Sequence, residues 1–159
     1  MAHVIFFARG TAGDLVPFPK IGEALKARGH DISLLSHCSY ADMAERNGWD
    51  FAALDTPEER RRTLEDGHLL NDPVGFPTFL RRYTFPRAAA AFETVRERYI
   101  PGKTILVKTH RACLVPLLVA ERFQTPVVRL FATVAELMTF PMMEEMYRER
   151  RSEVRNCPS

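Results

Sequence analysis

His3-Val4-Ile5-Phe6-Phe7-Ala8, followed at once by Arg9-Gly10-Thr11-Ala12-Gly13-Asp14, is the stretch on which the fold turns. A nearly continuous apolar run ended by Arg-Gly predicts a strand buried on both faces, over residues 3–8. Beyond the small-residue loop, a helix is expected over residues 17–28. Phe18, Ile21, Gly22 and Leu25 share one face of it, Lys20, Glu23 and Lys26 point elsewhere, and Gly29 stops it. Residues 31–36 read as a second strand, Ser39 as the cap of a short helix ended by Gly48, and residues 50–54 as a third strand. Strand, helix, strand, helix, strand with short connections is the pattern of a parallel βαβαβ unit.

The rhythm returns downstream. Residues 104–108 and 126–131 read as strands on either side of a helix over 112–123. That helix is nearly apolar all round, so it is expected to lie sandwiched against the sheet, with Pro116 tolerated in its first turn. The expectation is therefore an α/β domain: one doubly wound, Rossmann-like parallel sheet with helices on both faces. Residues 55–102 are less regular. Phe76, Phe79, Leu80 and Tyr83 share one helical face, and Ala88, Ala91, Phe92, Val95 and Tyr99 share another. Pro86 between them predicts two helices or one kinked helix. Arg60-Arg61-Arg62, set among Glu58, Glu59 and Glu65, reads as a solvated helix face. The aromatic stretch with Arg81, Arg82 and Arg87 suits either core or a lipid-like acceptor. Residues 142–155 read as a charged helix of mixed sign.

With 22 Lys and Arg against 20 Asp and Glu, the net charge of +2 offers no concentrated basic face for nucleic acid. Cys38, Cys113 and Cys157 are odd in number and in no metal-ligand spacing, which suits a reducing cytoplasm. The beginning shows no charged leader, and the longest apolar run, residues 112–120, is far too short to span a bilayer. A soluble, cytoplasmic protein without a metal is expected.

The loop after the first strand invites a nucleotide reading, which its chemistry argues against. A dinucleotide fingerprint needs Gly-x-Gly-x-x-Gly and an acidic residue closing the second strand. Here Gly10 and Gly13 are spaced otherwise, and the second strand closes on Ser36-His37-Cys38. Asp14 stands where a pyrophosphate would approach, and no Lys-Ser or Lys-Thr follows Gly13. A carboxylate at the mouth of a βα loop has two natural uses: to take a proton from a bound hydroxyl, or to cap the helix that follows.

The string Gly10-Thr11-Ala12-Gly13-Asp14-Leu15-Val16-Pro17, with Ile21-Gly22-Glu23-Ala24-Leu25-Lys26-Ala27-Arg28-Gly29-His30-Asp31-Ile32, resembles the amino-terminal signature of the glycosyltransferase family 28 and UDP-glycosyltransferase superfamily. The likeness continues through Tyr40-Ala41-Asp42, Gly48-Trp49-Asp50-Phe51 and Leu54. It returns more loosely at Leu118-Val119-Ala120-Glu121-Arg122-Phe123, Thr125-Pro126-Val127-Val128 and Phe140-Pro141. The resemblance implies the amino-terminal, acceptor-binding half of a GT-B enzyme. The nucleotide-sugar co-substrate would be bound mainly by a second, donor-binding domain or partner, and no other cofactor is implied. It also implies that Asp14 is the base for the acceptor hydroxyl, the acceptor being a small molecule or lipid-like. Around Asp14, the loop residues Gly10, Thr11 and Gly13 and the strand-end residues His37, His110, Arg111 and Thr133 are candidates for lining the cleft. His110 would orient or relay the proton from Asp14, or simply cap a helix. Arg111 would face a phosphate or solvent.

Overall fold

The computed structural model describes residues 1–70, 72–109 and 111–131. Five strands, β1 (His3–Ala8), β2 (Asp31–Ser36), β3 (Asp50–Ala53), β4 (Thr104–Lys108) and β5 (Val127–Arg129), form one sheet in the order β3-β2-β1-β4-β5. All four ladders are parallel, with His3 opposite Asp31 on one side and Thr104 on the other. The apolar run that predicted β1 is thereby explained: it is the middle strand, and Val4 to Ala8 are all buried.

The pleat sends alternate β1 side chains to opposite faces. On one face Val4, Phe6 and Ala8 meet Leu15 of α1 (Ala12–Leu15), Phe18 of α2 (Phe18–Lys26), and Ala44 of α3 (Ala41–Arg46). On the other face Ile5 and Phe7 meet Ala91 and Val95 of α6 (Ala88–Arg98) and Val115 and Val119 of α7 (Val115–Phe123). The helix expected over 17–28 is α2, whereas the expected loop before it holds the one-turn α1; Pro17, which has no N–H to carry α1 onward, stands between them. The helix expected from residue 112 begins at Val115, with Pro116 in its first turn. It is not sandwiched, since Leu118, Glu121 and Arg122 are exposed. Between β3 and β4 run α4 (Pro57–Glu65), a short turn at Gly67–Leu70, and α5 (Gly75–Phe79). From α5 the chain stays helical through a π turn at Leu80–Thr84 and a 3-10 turn at Phe85–Arg87 into α6. Pro86 therefore kinks one helical run. Phe76 and Phe79 are core, while Phe85 is exposed. None of the described helices is long and apolar enough to cross a membrane. Residues 142–155, and Cys157 beyond them, lie outside the described residues.

Gly22 seats α2 on the sheet's aromatic cluster. Phe6 packs at a tilt against Phe18 at 4.6 Å and edges onto Trp49 at 5.5 Å between ring centroids. A Cβ at Gly22 would fall 2.1 Å from Trp49 Cζ2. Gly22→Val should lower stability by about 1–3 kcal/mol, as overpacked cores do. Urea unfolding followed by the emission of Trp49, the single tryptophan, checks it. An unchanged midpoint and emission maximum would show that α2 can lift away at no cost.

Candidate functional site

From β1 the chain builds β2 and β3 on one side and then crosses to β4 on the other, so the strand order reverses between β1 and β4. In open α/β sheets ligands bind outside the carboxyl ends of the strands at such a switch point. The residues there are Arg9 and the Gly10–Asp14 loop after β1, His37 after β2, Asp55 after β3, and Thr109 after β4.

Asp14 is buried, at 8% exposure, and its Oδ2 accepts hydrogen bonds from the Thr11 backbone N–H at 2.8 Å and the Thr11 hydroxyl at 3.2 Å. The carboxylate therefore caps the one-turn α1 through Oδ2, and Oδ1 accepts no hydrogen bond from the described residues. It lies directly over Gly10, whose Cβ, were there one, would sit 2.2 Å from Oδ2. Thr11 and Gly13 are exposed on the outside of this turn. The Thr109 hydroxyl is fully buried and has no hydrogen-bond partner among the described residues. His110 and Thr133 lie outside the described residues. Arg111 is half-buried, its guanidinium 4.4 Å over the Phe76 ring, so it faces an aromatic face rather than open solvent.

His37 is not an open cleft residue. It is buried, and its Nδ1–H donates to Asp55 Oδ2, while Asp55 Oδ1 accepts from the Cys38 backbone N–H at 2.8 Å. Burial pushes the His37 imidazole below its ordinary pKa, outweighing the pull of Asp55, and repulsion from Arg60 and Arg9 adds to the fall. Burial alone would raise the Asp55 carboxyl, but the hydrogen bonds from His37 and Cys38 outweigh it and hold the group below its usual value. Both groups thus release protons more readily when folded. The His37 contribution to stability is whole above the unfolded histidine value of about 6.5 and is lost as pH falls from there, whereas that of Asp55 holds until pH falls below the unfolded carboxylate value of about 3.9. Urea midpoints should drop between about pH 7.5 and pH 5.5, with His37 contributing at most about 1.4 kcal/mol per pH unit. His37→Gln should flatten that slope. A wild-type midpoint that rises on acidification would instead mean a stabilising charged pair.

Asp55, which no motif marks, and Arg60, expected on a solvated face with Arg61 and Arg62, also stand at this end of the sheet. Arg61 and Arg62 pair with Glu58 and Glu65 on the wet face of α4. Arg60 turns inward and donates to the Gly10 carbonyl at 3.1 Å. Only helical phase, with Arg60 set off from its two neighbours, carried a signal for it. Beside Asp55, a cavity of about 160 Å³ is lined by Thr56, Arg87, Ala90, Ala91 and Thr94 among others. That volume is below the range of small-molecule sites. Among the described residues no three His, Cys, Asp or Glu side chains are grouped to hold a metal.

A five-stranded parallel sheet with helices on both faces and a strand-order reversal between β1 and β4 is the Rossmann-like, doubly wound α/β class. Solved structures that share it are GT-B glycosyltransferases. CalG4, the calicheamicin glycosyltransferase, superposes with a TM-score of 0.60 at 19% identity over 82% of this chain. Glycosyltransferase VinC in complex with dTDP gives 0.61 at 12% identity over 92%, and MurG of Acinetobacter baumannii gives 0.54 at 13% over 82%. The chain spans about a third of the length of these proteins, 32%, 38% and 35% respectively. No protein-family model and no curated protein sequence matches it.

Proposed function

We propose that this chain is the acceptor-side part of a GT-B glycosyltransferase of the family 28 kind, acting with a donor-binding domain or partner. It would transfer a hexosyl group from a nucleotide-sugar to an acceptor hydroxyl. The observation that carries the reading is Asp14: a carboxylate at the carboxyl end of the central strand, at the switch point, with one oxygen anchored by Thr11 and the other left for a ligand. The structural likeness to glycosyltransferases supports it. In this reading the acceptor oxygen attacks the anomeric carbon, the bond from that carbon to the nucleoside diphosphate breaks, and Asp14 takes the hydroxyl proton. His110 relays that proton onward. Thr11 keeps the carboxylate from swinging away, and stabilisation of the leaving diphosphate comes from the donor side.

The test supplies the chain with a donor-binding half, for instance that of a thymidine diphosphate-binding neighbour, and measures nucleoside diphosphate release with thymidine and uridine diphosphate sugars over a panel of hydroxylated acceptors. Release that requires both halves and an acceptor is the expected result. Acceptor binding without release, for every donor, would favour a second reading: a small-molecule-binding module that kept the fold. The cap that Asp14 provides to α1 is the observation on that side.

A further inference from the structure

Among the described residues, two guanidinium groups at the carboxyl end of the sheet hydrogen-bond only to main-chain oxygen. Arg9, half-buried immediately after β1, reaches the Tyr83 carbonyl with both terminal nitrogens at 3.4 Å. Arg60, half-buried on α4, reaches the Gly10 carbonyl at 3.1 Å. No carboxylate among the described residues forms an ion pair with either. The acids nearby are already engaged: Asp55 by His37 and Cys38, Glu59 by Arg87, Asp14 by Thr11. The cations converge. Burial lowers the Arg9 pKa most, Cys113 and Asp55 oppose the fall, and repulsion from Arg60 and Arg87 adds to it. A cation withdrawn from water without a counter-ion is costly, and a planar guanidinium has the fork of donors that carboxylate and phosphate oxygens fit.

We propose that Arg9 and Arg60 form an oxyanion subsite, and that the acceptor is a hydroxylated acid whose carboxylate or phosphate group binds between them. Arg60 is bonded to Gly10, and the Asp14 carboxylate lies against Gly10, so an anion held here leaves the same molecule's hydroxyl within reach of Asp14. The role given to the hydroxyl rests on the glycosyltransferase reading; the binding of the anion does not.

The experiment titrates the chain by calorimetry, at low and matched ionic strength, with 4-hydroxybenzoate, phenyl phosphate and phenol. Saturable heat is expected from the anions, with phenol at least about tenfold weaker, the order of worth of a charge-assisted bond. The tighter of the two anions tells carboxylate from phosphate. Arg9→Met and Arg60→Met should each abolish the preference for the anions over phenol. Unliganded Arg9→Met should melt no lower than the wild type, because a cation without a counter-ion is gone. If Arg9→Met does not fold, Arg60→Met alone decides. Equal binding of phenol and the anions overturns the subsite, as does anion binding that survives Arg60→Met. A lower melting temperature for Arg9→Met with anion binding intact makes Arg9 a strut to Tyr83. Anion binding without any sugar transfer would remove the glycosyltransferase reading and leave the subsite standing. Transfer to neutral acceptors without anion binding would do the reverse.

Discussion

With a donor-binding half present, Asp14→Asn is expected to lower sugar transfer by about 10²–10⁴-fold, the usual worth of a positioned acid–base group. The substitution is chosen because it separates the two uses of this side chain. Asparagine keeps a carbonyl oxygen that can accept the Thr11 N–H, which Asp14 Oδ2 does at 2.8 Å, so the cap of α1 survives. What it loses is the second anionic oxygen and any capacity to take a proton. Melting temperature and acceptor affinity should barely move. A drop in melting temperature with undiminished transfer per folded molecule would make Asp14 a cap and nothing more.

Gly10→Ala should cost about 10²-fold in the same assay without touching any chemical group, as misplacement by about 1 Å does at a reacting centre. The new methyl would sit 2.2 Å from Asp14 Oδ2 and 2.7 Å from Cγ, and neither can stay where it is. Either the carboxylate rotates off Thr11 or the loop shifts. Because both variants act through one carboxylate, Gly10→Ala combined with Asp14→Asn should be hardly worse than Asp14→Asn alone. Full additivity of the two losses would mean that Gly10 acts on something other than Asp14.

The frame of the domain was readable because each strand and helix announced itself locally. β1 had its unbroken apolar run, α2 its one-sided face, and Gly29 and Gly48 their positive φ at the ends of α2 and α3. Boundaries failed where a proline or a short edge strand decided them. The turn of helix before Pro17 falls in what the sequence reads as loop, and β5 keeps only Val127–Arg129 of residues 126–131, laddering among the described residues with β4 alone. The Gly10–Asp14 loop was legible as a site from its position after β1. His37 was legible as a strand-end residue, but its burial against Asp55 was not, since that pairing depends on how the ends of β2 and β3 meet. Arg60 reads with Arg61 and Arg62 as a solvated face: its helical phase differs from theirs, but only the fold shows that this phase points toward Gly10.

The middle strand closes its two ladders at very different distances along the chain. β1 meets β2 after one short helical connection, but meets β4 only after β2, β3 and the whole passage from α4 to α6 have been made. Loop closure makes the near ladder quick and the far one slow. During synthesis β1, β2 and β3 can therefore assemble while the edge of β1 that awaits β4 is still bare. That edge carries Val4, Ile5, Phe6 and Phe7, an uncharged run with the makings of a template for the wrong chain. The strand that leads into Asp14 is thus also a stretch of the nascent chain open to mispairing until β4 emerges and pairs with it.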